Sequence, residues 1–244
     1  RPEVHNAFNE HMIAELKDAF ADLQNCPKTH VVVLSANGKS FSAGADLDWM
    51  KRAAAYSFEE NLADGQKLSD MLNDLYNLKQ LTIASVHGAV MGGGLGLISC
   101  ADIIIGDRAS KFALSEVNLG LIPATISPFV LAAIGARQAK RYFQTGEFFN
   151  AETAHSIGLI HEIATNDDQR EETVNRIIEH ALKSAPKAMK QAKRLALDFA
   201  EMPINDDLRH ETVKRIATIR TSDEAATGLT AFFEKRKADW GQDV

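Results

Sequence analysis

Apolar residues recur near the start of the chain at Met12, Ile13, Leu16, Ala19, Phe20 and Leu23, the spacing of one helical face, and Pro27 closes the stretch. The pattern predicts a helix over residues 9–25. Val31–Leu34 then forms a β-branched run that reads as a buried strand, ended by the turn dipeptide Asn37-Gly38. A short helix is expected around Asp48-Trp49-Met50-Lys51. Ser57-Phe58-Glu59-Glu60 has the form of a capping box and opens a longer helix to about residue 78, with Leu68, Met71, Leu72 and Leu75 on one face. Leu81–Val86 is a second buried strand. Gly92, Gly93 and Gly94 follow, and the apolar run 95–100 completes a strand–glycine turn–helix pattern.

The second half repeats these signals and then changes character. Residues 102–106, with Ile103-Ile104-Ile105, read as a strand, and 111–114 as a short one. Ser127-Pro128 reads as an N-cap followed by a first helical position, Gly135 ends that helix, and 137–145 makes the next. Asn150-Ala151-Glu152 starts a short helix that stops at Gly158, and 159–163 is strand-like. From Asp168 onward the pattern is wholly helical, broken at Pro186, Pro203 and Ser222. The α/β part is therefore placed in 1–185 and an appended helical region in 186–244. Residues 31–50 and 83–100 echo each other as strand, glycine-containing turn and helix, which suggests stacked strand–strand–helix turns of one spiral.

Composition narrows the picture mainly by exclusion. A length of 244 residues with 45% hydrophobic and 25% charged residues suits a globular domain with a substantial core. The formal charge of −6 leaves no basic footprint for nucleic acid. No apolar run approaches the ~18–20 residues of a membrane span, and no signal-peptide pattern is present. Cys26, near a helix end, and Cys100, in the core, form neither a disulfide framework nor a metal site, so a reducing, cytoplasmic compartment is expected. The eight histidines show no ligand spacing, and no metal is expected. His87, on a buried strand, reads as a satisfied core histidine.

The candidate chemistry lies in the two glycine turns. Each can present a free backbone N–H, from Ala45 after Gly44 and from Gly93 within the triplet. Side by side, two such amides would hold a carbonyl oxygen that gains charge during reaction, each donor being worth ~10²–10³ in rate. Glu116, in Phe112-Ala113-Leu114-Ser115-Glu116-Val117, has apolar surroundings that would raise its pKa and suit it to proton transfer; a surface glutamate at a strand end is the plain alternative. Asp46 is read as a helix cap. Trp49 is divided between acyl-pocket lining and core, and Met50 and the helix 62–78 are read as core in preference to pocket lining. Arg137, Arg141 and Tyr142 are read as helix surface.

Taken together, Arg1-Pro2-Glu3-x-x-Asn6-Ala7, Phe41-Ser42-Ala43-Gly44-Ala45-Asp46-Leu47, Gly88-x-x-x-Gly92-Gly93-Gly94, Asp102-Ile103, Phe112-x-x-Ser115-Glu116-x-x-Leu119-Gly120 and Gly228-x-x-Ala231-Phe232-x-Glu234-Lys235-Arg236 resemble the crotonase superfamily of enoyl-CoA hydratases and isomerases, nearly end to end. The resemblance implies an α/β fold, a spiral of ββα units, with a C-terminal helical region that packs trimers or dimers of trimers. It implies a coenzyme A thioester as substrate, so coenzyme A enters with the substrate and no separate cofactor is expected. The family's oxyanion-hole positions fall on Ala45 and Gly93 and one catalytic acid on Glu116. Ala7, Ala43, Asp46, Leu47, Gly92, Gly96 and Pro123 fall at substrate positions, and Lys235 at one that would meet the coenzyme phosphates.

The sequence departs from the two-glutamate hydratases at Gly96, where they carry the second acid. One remaining carboxylate suits moving a double bond, which favours a Δ3,Δ2-enoyl-CoA isomerase. The stretches 40–50 and 115–128, however, look like bacterial hydratases of branched, methylglutaconyl-type thioesters, the type used in leucine and acyclic terpenoid breakdown. The expectation is therefore a hydratase, with the isomerase and a non-catalytic acyl-CoA-binding protein as alternatives.

Overall fold

The computed structural model describes residues 1–240. Helix α1 (Glu10–Gln24) begins at Asn9, whose side chain accepts from the Met12 N–H at 2.9 Å. Strand β1 (Val31–Leu34) leads through a bent segment at 41–45, with isolated bridges at Ser42 and Ala45, into α2 (Leu47–Ala53), and α3 (Phe58–Tyr76) packs on α1. The Ser57/Glu60 capping box forms in full: Ser57 Oγ accepts from the Glu60 N–H, and Glu60 Oε2 accepts from the Ser57 N–H. Next come β2 (Leu81–Val86), β3 (Ala89–Met91), α4 (Gly93–Ser99), β4 (Ile103–Asp107) and β5 (Lys111–Ala113). A 3₁₀ turn at Glu116–Leu119 precedes α5 (Ser127–Thr145), which breaks at Gly135, and then β6 (Phe149–Asn150), α6 (Ala151–Ser156) and β7 (Glu162–Ala164). Helices α7 (Asp167–Leu182), α8 (Pro186–Phe199), α9 (Asp206–Arg220) and α10 (Asp223–Phe233) follow. The helical region expected to reach residue 244 is described to Trp240; residues 241–244 lie outside the described residues.

The strands form two sheets. The first is parallel, in the order β1-β2-β4-β7, with Val33 beside Ile83 and Ile83 beside Ile103. Its two faces are both covered, as parallel sheets require. Ile83 and Ile105 turn to α7 and meet Val174, while Ala84, Val86 and Ile104 turn to the main core. The period of two along each strand thus sorts its residues between two apolar layers. The second sheet, β3-β5-β6, pairs Val90 with Phe112 and Phe112 with Phe149. Bridges from Ser42 to Val90 and from Phe8 to Ala45 extend it toward the N-terminus. Each turn of the chain thus gives one strand to each sheet before its helix, which is the spiral that the echo between 31–50 and 83–100 suggests.

The C-terminal helices are tied to the first sheet by a partly buried polar contact. Lys193 of α8 donates to Asp102 Oδ2 at 2.7 Å and to the Gln80 carbonyl at 3.1 Å. The same Asp102 oxygen accepts from the Thr82 N–H and hydroxyl.

Several local expectations need correction. Strand β3 lies within what reads as a single glycine turn; at three residues it is too short to show alternation. Strand β7 begins at Glu162, because Leu159 and Ile160 bury their side chains in the core before pairing starts. Ser127 is the first helical residue and not the cap: its hydroxyl donates to the Ala124 carbonyl at 2.7 Å. His87 is half-buried just past β2, with Nε2 2.9 Å from the Gly38 carbonyl oxygen, so it is satisfied but not core. Tyr142 is buried, its ring 4.3 Å from that of Phe149, and only Arg137 and Arg141 lie on the helix surface.

Candidate active site

The two strand-to-helix turns lie side by side. The Ser42 N–H donates to the Ala89 carbonyl at 3.1 Å and the Met91 N–H donates to the Ser42 carbonyl at 2.9 Å, which sets residues 43–45 beside Gly92 and Gly93. On the other flank the Phe8 N–H donates to the Gly44 carbonyl at 2.7 Å, and the Asp46 N–H donates to the Phe8 carbonyl at 2.8 Å. In a parallel bridge the groups of the intervening residue face the opposite way, so the Ala45 N–H turns from Phe8 toward the Gly93 side. Gly93 is the first residue of α4, where no intrahelical acceptor exists for its N–H. Among the described residues neither the Ala45 nor the Gly93 N–H has a protein acceptor.

Glu116 approaches from the third turn of the spiral. It opens the 3₁₀ turn after β5, and the Leu121 N–H fixes that turn by donating to the Glu116 carbonyl at 3.0 Å. Gly92 has φ +46°, and a Cβ built on it would stand 3.0 Å from Glu116 Oε1. Glycine here satisfies both the backbone conformation and the close approach of the carboxylate. Glu116 Oε2 is buried without a hydrogen-bond partner. Burial pushes the Glu116 carboxyl up from its ordinary range, opposed only in part by a backbone hydrogen bond.

Two cavities meet at these groups. The narrower, about 170 Å³, is lined by Glu116, Ala45, Gly93, Phe8 and residues 122–126. The wider, about 430 Å³, runs past Ala43, Leu47, Gly92, Asp64 and Leu119. Ala45, Trp49, Leu68, Gly93, Glu116 and Thr125 border both. The walls are mainly apolar, with a few polar groups concentrated at the junction, as in small-molecule sites generally. A carbonyl oxygen between the two free amides would have Glu116 beside its neighbouring carbons.

Of the residues singled out from the sequence, Ala43, Ala45, Leu47, Gly92, Gly93 and Glu116 line the wider cavity and Pro123 the narrower. Four others stand outside both linings. Ala7 is buried and its carbonyl accepts from Arg1 at 2.6 Å. Asp46 caps α2 through the Asp48 and Trp49 N–H groups and pairs with Arg1 at 2.7 Å, contacts that lower its pKa, the Arg1 hydrogen bond foremost. Gly96 is sealed beneath Ile126. Lys235 is exposed beyond the end of α10. Trp49 is both core and cavity wall, with its indole N–H buried and unpartnered. Phe8 is a lining residue that no sequence signal marked and that could have been found only from its pairing with Ala45; Asp64, within the stretch 62–78, and Thr125, within the stretch 115–128, also line the cavities without having been singled out. Arg141 and Tyr142 border a separate cavity of about 560 Å³ with Lys111.

Residues 1–243 match the family described as Enoyl-CoA hydratase/isomerase. The chain belongs to this family. It is 32% identical over 235 residues to a candidate enoyl-CoA hydratase of Thermus thermophilus, covering 96% of this chain and 92% of that protein. It is 31% identical over 242 residues to the crotonyl-CoA hydratase of Syntrophomonas wolfei, covering 98% and 91%. An enoyl-CoA hydratase structure from Shewanella pealeana superposes with a TM-score of 0.95 at 43% identity, covering 98% of this chain and 89% of that one. The α/β crotonase fold expected from the motifs is therefore the fold of this family member. No helix among the described residues is long and apolar enough to cross a membrane.

Proposed function

We propose that this enoyl-CoA hydratase/isomerase family member adds water across the 2,3 double bond of an enoyl-CoA thioester. The Ala45 and Gly93 amides hold the thioester oxygen, and Glu116 moves the proton. The observation that carries this reading is the meeting of two unpaired N–H groups and one unpaired, partly desolvated carboxylate at the junction of the two cavities. Charge that develops on the thioester oxygen meets preorganised donors and little water, and a carboxyl with a raised pKa lies closer to the pKa that proton transfer at neutral pH favours.

Coenzyme A arrives as part of the substrate. The acyl chain enters the narrow cavity past Trp49 and Pro123, with Ala43, Leu47 and Gly92 nearer the thioester; a branched, methylglutaconyl-type chain is the first specific substrate to try. Lys235 could serve the coenzyme phosphates only from a neighbouring subunit or after rearrangement. The exposed apolar residues Leu195, Ile216, Leu229 and Phe232 on α8–α10 support packing of this region against further copies, as a trimer or a dimer of trimers.

The test is incubation of the protein with crotonyl-CoA and with methylglutaconyl-CoA while the enoyl absorbance is followed. Loss of absorbance with formation of the 3-hydroxyacyl thioester supports hydration; no turnover of either by folded protein counts against it. One observation favours the isomerase instead, the glycine at position 96, which leaves Glu116 as the remaining acid of the two-glutamate pattern. Conversion of a 3-enoyl to a 2-enoyl thioester without uptake of ¹⁸O from water would decide for that reading.

A further inference from the structure

Glu116 is the one acid at the junction of the two cavities, Asp64 lining only the wider of them, which raises the question of what else holds an attacking water at that junction. Of the residues bordering both cavities, Leu68 is apolar, Ala45 and Gly93 offer main-chain donors, and the Trp49 indole only donates. Thr125 alone among them carries a hydroxyl, which both accepts and donates. It makes no hydrogen bond to protein among the described residues, although its neighbours Ala124 and Ser127 are bound into the turn that leads to α5.

Its place in the chain is equally specific. The next residue, Ile126, occupies the space beside Gly96 into which a side chain there would extend, with Cγ2 2.2 Å from the position of a Cβ. Ile126 thus fills the ground a second acid at position 96 of α4 would occupy, and the preceding Thr125 borders the junction with Glu116. A site needs two to four polar partners to hold a water; Thr125 and Glu116 together supply two.

We propose that Thr125 is a water-holding residue that, with Glu116, allows this chain to hydrate an enoyl thioester with one carboxylate at the junction of its two cavities. The inference rests on the hydratase reading above. The water donates one hydrogen to the Glu116 carboxylate and the other to Thr125 Oγ, leaving a lone pair for C3. As the O–C3 bond forms, the C2=C3 electron pair shifts toward the thioester oxygen, and the proton facing Glu116 passes to its carboxylate. Glu116 then returns that proton to C2 as the enolate collapses. The oxygen and both hydrogens of water end in the product, and the carboxylate is regenerated.

The test compares wild type, Thr125→Val and Thr125→Ser in two assays: hydration of crotonyl-CoA, and exchange of the C2 hydrogens of butyryl-CoA with D₂O, which needs Glu116 and the amides but no attacking water. Thr125→Val should lower kcat for hydration roughly 10–100-fold with little change in KM, while C2 exchange stays within about twofold of wild type, which also shows the site to be folded. Thr125→Ser should recover most of the hydration rate. Undiminished hydration by Thr125→Val, equal loss of exchange and hydration, or no recovery with serine would each overturn the role given to Thr125 and leave the hydratase reading standing. Wild-type exchange without any hydration would instead remove the hydratase reading, and this role with it.

Discussion

Ile126 fills the space that any side chain at Gly96 would enter: a Cβ there would stand 2.2 Å from Ile126 Cγ2 and 2.5 Å from Ile126 Cβ. The absence of an acid at position 96 is therefore built into the packing of α4 against the start of α5 and is not a single exchangeable position. Gly96→Glu should fail to add a working carboxylate and should destabilise the fold by at least ~1–3 kcal/mol through overpacking. Urea denaturation measures this. Pairing the change with Ile126→Ala should recover part of the loss, whereas a fully stable single variant would mean the contact yields easily.

Glu116→Gln keeps the shape of the side chain and removes the base. Turnover should fall ~10²–10⁴-fold, while a saturated thioester such as butyryl-CoA still binds, as calorimetry can measure. Undiminished turnover would place the base elsewhere.

The raised Glu116 pKa also sets two pH dependences. The base must be ionised, so wild-type kcat/KM should fall as pH drops through an apparent pKa above the ordinary glutamate value of ~4.3. For stability the sign is opposite. The native state holds the Glu116 proton more tightly than the unfolded chain, so this group's contribution is fully present below the unfolded pKa and is lost as pH rises through the folded one. Glu116→Gln should therefore be more stable than wild type near neutral pH, with the difference vanishing in acid. Thermal melts across pH check both the sign and the convergence.

Lys193 joins α8 to the first sheet through Asp102, with side-chain exposures of 12% and 23%. Removing Lys193 leaves Asp102 partly buried without its counter-charge, held only by the Thr82 N–H and hydroxyl. Lys193→Ala should lose ~2–3 kcal/mol, somewhat below the ~3–5 of a fully buried pair, and hydrogen exchange should rise first in α8 and at the start of β4.

If the apolar faces of α8–α10 pack against other copies, Ile216→Asp should give a species near the 26.7 kDa of one chain in light scattering, where wild type gives three or six times that mass. A wild type that is itself monomeric would contradict the assembly reading.

Much of this arrangement is legible in the chain because local chemistry and tertiary structure agree. The Ser57/Glu60 box, the Asn9 and Asp46 caps and the isoleucine run at 103–105 each specify an element without help from distant residues. The facing of Ala45 and Gly93 is not local: it depends on Ser42 pairing with β3, a three-residue strand too short to leave a pattern. Thr125 and Asp64 escape for a related reason. Thr125 falls within the distinctive stretch 115–128 but nothing there marks that residue, and only the stacking of spiral turns sets either one on a cavity that Glu116 also lines. Gly96 is legible as a departure from the two-acid pattern, but its packing partner Ile126, thirty positions on by numbering, is visible only in the fold.

The central claim is that the Ala45 and Gly93 amides and the Glu116 carboxylate act together on a thioester and its neighbouring carbon. It is tested most directly by proton magnetic resonance of butyryl-CoA in D₂O with wild type and with Glu116→Gln. The account predicts loss of the C2 hydrogen signal with wild type and a rate reduced ~10²-fold or more with the variant. Binding of butyryl-CoA by wild type with no exchange at C2, or equal exchange by both proteins, would contradict it.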